Sequence, residues 1–212
     1  MKEIAAKILA AALRLFARKG YAATTVRQIV DEADVTNPML YYYFDSKQGV
    51  FLALIEVLFE AMSETVDDIM DEHDDVRVQL REVGTAYFEG CRQSPEILQF
   101  IYAAMFGPAE SCPTFDVPEA HGQARDRIEA SICDAIADGT LNPPEGFDAE
   151  FLTERYLGLI DNHLIGALSL FAHDRSYVES RQSLHDYLSE EALDEMMRFF
   201  LHAAGASPQE GR

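Results

Sequence analysis

Thr24-Thr25-Val26-Arg27-Gln28-Ile29-Val30-Asp31-Glu32-Ala33, then Asp34-Val35, then Thr36-Asn37-Pro38-Met39-Leu40-Tyr41-Tyr42-Tyr43-Phe44 is the stretch that decides the fold. Val26, Ile29, Val30 and Ala33 keep a helical period, and Thr24 or Thr25 supplies the cap in front of them. Asp34-Val35 is a tight break, where Asp tolerates a positive φ better than most residues. Thr36 caps a second short helix with Pro38 in its first turn, where a missing N–H costs little. Upstream, Ile4, Ile8, Leu9, Ala12, Leu15 and Phe16 recur at helical spacing, and Gly20 stops that helix. Three short helices with a tight turn between the last two outline a helix-turn-helix. In such a unit the capped helix turns its positive end to phosphate and the next helix enters the major groove. Leu40 and Phe44, four apart, face inward, which leaves Thr36, Asn37, Met39, Tyr41 and Tyr42 for base edges or backbone. Thr25 sits at the positive end of its helix, and Lys47 follows as a candidate phosphate contact.

Outward from this stretch the pattern stays helical. Asp45 or Ser46 opens a long helix to about residue 72, with Phe51, Leu54, Ile55, Leu58, Phe59, Met62, Val66, Ile69 and Met70 on one stripe and Glu56, Glu60, Glu64, Asp67, Asp68 and Asp71 on the other. Further helices are predicted near 76–93, 95–106, 118–139, 148–173 and 189–205, with breaks at Pro95, Gly107 to Pro118 and Gly139 to Pro144. No strand, repeat or low-complexity tract stands out. The predicted class is all-α: an N-terminal three-helix helix-turn-helix module over 1–47, joined by the long fourth helix to a helical effector-binding and dimerisation domain over 48–206, with a frayed tail at 207–212.

Charge divides the chain in the same place. The net charge is −20, which by itself argues against a polyanion partner. Residues 1–50 nevertheless carry seven Lys or Arg against five acids, whereas the remainder carries ten against thirty-two. Every lysine lies at or before position 47. One segment can approach nucleic acid and the other cannot. The acidic remainder reads first as a solvated surface and otherwise as a docking face. Hydrophobic residues at 48% and charged ones at 25% fit a soluble globular chain. No apolar run approaches the ~18 residues of a membrane helix, and Ile8 to Leu13 is too short for a signal-peptide core. No membrane partner and a cytoplasmic location are expected. Cys91, Cys112 and Cys133 make no C-x-x-C pair and fit a reducing compartment. Six histidines show no metal-ligand spacing, and no nucleophile elbow, P-loop or dinucleotide fingerprint occurs. No metal, no cofactor and no enzyme activity are expected.

Phe16-Ala-Arg-Lys-Gly20-Tyr, Thr24-Thr25-Val-Arg-Gln-Ile29, Ala33-Asp-Val35-Thr and Leu40-Tyr41-Tyr-Tyr-Phe44-Asp-Ser-Lys47 followed by Phe51-Leu52 resemble the DNA-binding domain of the TetR family of transcriptional regulators over residues 8–55. The resemblance implies a homodimer on a palindromic operator in double-stranded DNA, repressing until a small molecule binds the helical C-terminal domain. It also implies DNA contacts at Thr25, Thr36, Asn37, Tyr41, Tyr42 and Lys47, and packing roles for Phe16, Ile29, Val35, Leu40 and Phe44. The chain departs from the family at Asp34, where Gly is usual, and at Asn37-Pro38-Met39.

Farther along, Phe151 to Phe171 is apolar nearly all round, so one face is expected to meet a partner. Gly158 and Gly166 permit close helix approach. Asp161 and His163 are then either satisfied across that interface or in contact with a ligand. The stripe of Leu193, Met196, Met197, Phe200 and Leu201 completes a predicted four-helix dimer interface. Tyr87, Phe88, Phe100, Tyr102, Met105, Phe106 and Phe115 read either as plain core or, with His163, as the lining of a pocket for a bulky apolar effector. An adaptor that binds DNA and recruits a protein partner, without a small-molecule effector, is the alternative function.

Overall fold

Apolar spacing along Lys2–Lys19 produces α1. The computed structural model describes residues 2–108, 111–115, 117–170 and 177–206. After α1 come α2 (Val26–Ala33), α3 (Asn37–Phe44), α4 (Lys47–Glu72), α5 (Val76–Gln93), α6 (Pro95–Phe106), α7 (Val117–Ala137), α8 (Ala149–Leu168), α9 (Tyr177–Tyr187) and α10 (Glu190–Ala203). No strand occurs among the described residues. The predicted helix over 148–173 ends at Leu168, and the predicted tail at 207–212 lies outside the described residues. α9 is absent from the sequence reading. Leu184 is its one buried side chain among those described, too few for a periodic signal.

The chain divides into two units, Met1–Ala61 with Ser94–Ala120, and Met62–Gln93 with His121–Arg212. The first packs Ile8, Phe16, Ile29, Leu40, Phe51 and Phe100 into one core. The Phe100 ring stacks on Phe16 at 5.9 Å and meets Phe51 edge-on at 5.3 Å, with Phe115 6.0 Å from Phe51. The unit that carries the helix-turn-helix is therefore larger than 1–47, because three short helices bury too little apolar surface alone and α6 completes their core. α4 enters this unit at a tight corner. Asp45 turns to φ 59, Ser46 accepts the Gly49 N–H at 3.0 Å, and a Cβ at Gly49 would run into the Phe44 carbonyl.

In the second unit α5 packs on α8, α9 and α10. The fully buried Tyr156 donates its hydroxyl to the Leu80 carbonyl at 2.5 Å and meets Phe200 edge-on at 5.4 Å. Gln79, buried, closes the end of α4. Its amide donates to the carbonyls of Met70 at 3.2 Å and His73 at 2.5 Å, and its oxygen accepts from the Ser131 hydroxyl. A buried amide fully paired in this way satisfies helix-end carbonyls that lack intrahelical partners.

Part of the predicted dimer set is corrected here. Met196, Met197 and Phe200 are buried in the protomer's own core at 4%, 4% and 2% exposure. Their stripe on α10 faces α5, where Gly84 leaves room for Leu193 and Met196. Gly166 seats the Tyr187 ring of the same chain, so its missing Cβ serves α8 against α9. Gly158 and Asp161 do lie on an exposed face of α8, with Ile165 at 50%, and Phe199 projects from α10 at 66%.

Candidate nucleic-acid interface

Thr25 is the N-cap of α2, at φ −107 and ψ 154. Its hydroxyl accepts the Gln28 N–H at 3.3 Å while Gln28 returns its side-chain oxygen to the Thr25 N–H at 3.0 Å. This capping box is a reciprocal pair that fixes the first turn, and it leaves the Val26 and Arg27 amides at the positive end of the helix. Thr24 instead turns inward and donates its hydroxyl to the Gly20 carbonyl at 2.8 Å. Asp34 takes the left-handed conformation, φ 53 and ψ 48, at the end of α2, and Thr36 opens α3 with no hydrogen bond from its side chain to the cap.

α3 is anchored by Leu40, which is wholly buried, with Tyr43 and Phe44 half-buried beside it. That anchoring turns Thr36, Asn37, Met39, Tyr41 and Tyr42 outward, all exposed. Tyr42 shows 74% of its surface and Tyr41 49%. Aromatic surface this bare on a short helix beside Asn and Thr combines hydrogen-bonding and apolar groups on one exposed face. Arg27, not among the sequence-predicted contacts, projects from α2 next to Thr25 and pairs with Asp31 at 3.8 Å.

Lys47 sits differently from the rest. Its ammonium donates to the carbonyls of Tyr21 and Thr24, each at 2.8 Å, and lies 4.1 Å from the centroid of the Tyr21 ring. Burial holds its pKa below the usual lysine value.

The effector candidates fall into both units. Phe100 and Phe115 belong to the core of the first, where Tyr102 is buried and stacks on Phe106, itself 67% exposed, with Met105 half-buried. Tyr87, Phe88 and His163 belong to the second, with Phe88 buried and 5.7 Å from the His163 ring. His163 Nδ1 bonds the Leu159 carbonyl at 2.9 Å. Burial first, and then the charges of Asp161 and Cys91, raise the Tyr87 hydroxyl above its ordinary pKa. None of these residues lines the cleft of about 510 Å³ between the end of α4, the start of α5 and α7. That cleft is polar: Asp71, Asp74, Asp75, Asp134 and Asp138 face it against Arg77 and Arg127. Burial pushes the Cys91 thiol up to about 12 and raises Cys112 as well, so neither is a ready thiolate. Among the described residues no group of His, Cys, Asp and Glu is arranged to hold a metal ion, and no helix is long and apolar enough to cross a membrane.

Residues 8–54 match the family model of the bacterial regulatory proteins, tetR family. The chain belongs to the TetR family. Among its relatives, YuxN of Bacillus subtilis, named as an HTH-type transcriptional regulator, is 29% identical over 98 residues, 46% of this TetR-family chain and 34% of YuxN. FasR of Mycolicibacterium smegmatis, an HTH-type transcriptional activator, is 31% identical over 155 residues, 73% of this chain and 66% of FasR. The chain thus spans about a third of the first relative's length and about two thirds of the second's. In fold it is similar to FadR of Bacillus subtilis in complex with stearoyl-CoA, with a TM-score of 0.72 and 15% identity over 93% of this chain and 98% of that one.

Proposed function

We propose that this TetR-family chain is a transcriptional regulator that binds double-stranded operator DNA through the exposed face of α3 and the capped end of α2, with residues 1–47 carrying recognition. The observation that carries this reading is the exposure of Thr36, Asn37, Met39, Tyr41 and Tyr42 on a helix anchored from behind by Leu40. A homodimer sets two such faces on a palindrome with half-sites ~34–36 Å apart. Gly158, Asp161, Ile165 and Phe199 supply the exposed surface for that dimer. The regulator represses until a small, bulky apolar effector in the domain over 48–206 releases it. α4 couples the two functions, since it runs unbroken from Lys47 to Glu72. Release from mostly bound to mostly free requires the effector to favour the released state by about 5.5 kcal/mol. A long-chain acyl-CoA is the first effector to try, because the fold neighbour FadR holds stearoyl-CoA.

Selection of bound fragments from the genomic DNA of the source organism tests the reading. A palindromic site enriched at moderate salt, and released by acyl-CoA, is the expected result; recovery of no common site would sink it. One observation favours the adaptor alternative. Phe88 and Phe100 are packed core at 1% and 2% exposure and do not line the cleft. Operator binding that no small molecule alters would support that second reading.

A further inference from the structure

We propose that Lys47 is a positioning residue for DNA binding, which holds the loop ahead of α2 rather than neutralising a phosphate; this rests on the DNA-binding reading above. Two of its three N–H donors are already engaged by the carbonyls of Tyr21 and Thr24 at 2.8 Å. Its charge lies over the Tyr21 ring, and that ring is itself clamped by Phe16 at 5.5 Å and Phe51 at 5.2 Å. The loop is thus pinned by the aromatic core on one side and by the ammonium on the other.

The consequence for α2 follows from peptide geometry. In a trans peptide the C=O and the next N–H point in opposite directions. The Thr24 carbonyl points at Lys47, so the Thr25 N–H points away, to the Gln28 side-chain oxygen at 3.0 Å. Lys47 therefore fixes the peptide plane that seats the capping box and, with it, the Val26 and Arg27 amides. Without the ammonium this plane is free to rotate, and two bare carbonyl oxygens stand next to the approaching polyanion. A phosphate would find one remaining N–H, on a cation whose charge the two carbonyls already share. Arginine is not an equivalent replacement, because its donors are fixed in one plane and cannot be rotated toward both carbonyls as those of a compact ammonium resting on the ring can.

The test uses the full chain and a mixed-sequence 30-base-pair duplex as probe, with affinity followed over a range of salt. Lys47→Met should weaken binding roughly tenfold while leaving the slope of log K against log salt unchanged, because no phosphate contact is lost. A fall in that slope of about 0.9 for each protomer bound, one phosphate apiece, overturns the proposal. Lys47→Arg keeps the charge and guards against a variant that merely unfolds. It should also weaken binding several-fold, and wild-type affinity in it overturns the proposal. Amide exchange at Gln28 should accelerate in both variants, and unchanged protection there counts against it. If the wild-type chain shows no salt-dependent affinity for the duplex, the DNA-binding reading fails, and the exchange result alone decides whether Lys47 holds the loop.

Discussion

Asp34 and Asp75 show how much a single carboxylate side chain settles. Asp34 holds φ 53 between α2 and α3, a conformation that Gly adopts freely and an L-residue only at a cost of roughly 1 kcal/mol. The turn was legible because Asp is among the few residues that accept it; the matching turn at Asp45, φ 59, was not, since nothing in Phe44-Asp45-Ser46 separates a cap from a bend. Asp34→Gly should raise stability by ~0.5–1 kcal/mol and Asp34→Val should lower it, read from urea midpoints at constant m. If both variants destabilise, the Asp34 side chain has a role beyond the turn. Asp75 caps α5, accepting the Arg77 N–H and Nε at 2.9 Å each. The Arg77 side chain holds the carboxyl below its ordinary pKa. A folded pKa beneath the unfolded value of ~3.9 gives stability that is complete above the unfolded value and is lost as pH falls through the folded one. Asp75→Asn should therefore melt lower than wild type at neutral pH, with a gap that closes below about pH 4. A gap that widens in acid would reverse the assigned sign.

Among the helices, α3 was legible in full from the spacing of Leu40 and Phe44, because a short helix with one inward anchor can present only one outward face. α10 was legible as a stripe but not as a contact. Apolar period identifies a buried face, and whether a helix of the same chain or of a partner covers it depends on tertiary packing that periodicity does not encode. Gly84 on α5, beside Leu193 and Met196, decides the matter for the inward stripe. The same limit applies to Phe100, which reads as pocket or core from sequence and completes the core of the recognition unit through Phe16 and Phe51. A paired experiment separates the two faces of α10. Met196→Ala should cost about 2–4 kcal/mol of stability by leaving a cavity and leave the assembly state alone. Phe199→Glu should yield protomers in sedimentation with the helical fold retained. Dimers of Phe199→Glu that sediment like wild type would move the interface to another surface.

For the whole molecule, charge sets opposite salt responses on its two associations. Residues 51–212 carry ten basic against thirty-two acidic side chains, and a dimer doubles that excess around one interface. Repulsion of this kind is screened over ~8–10 Å at ordinary ionic strength. The exposed dimer candidates Ile165 and Phe199 are apolar, and burying apolar surface is not weakened by moderate salt. Self-association should therefore tighten between low and moderate salt. DNA binding runs the other way, since each neutralised phosphate releases counterions and contributes about −0.9 to the salt slope. With the Lys47 ammonium engaged by carbonyls, exposed Arg27 at the start of α2 is a cation left for phosphate, and Arg27→Ala should make the salt slope shallower. Sedimentation and fluorescence anisotropy on one preparation across a salt series measure both. A dimer that dissociates as salt rises would mean that ion pairs hold it, and the apolar assignment of Ile165 and Phe199 would fall.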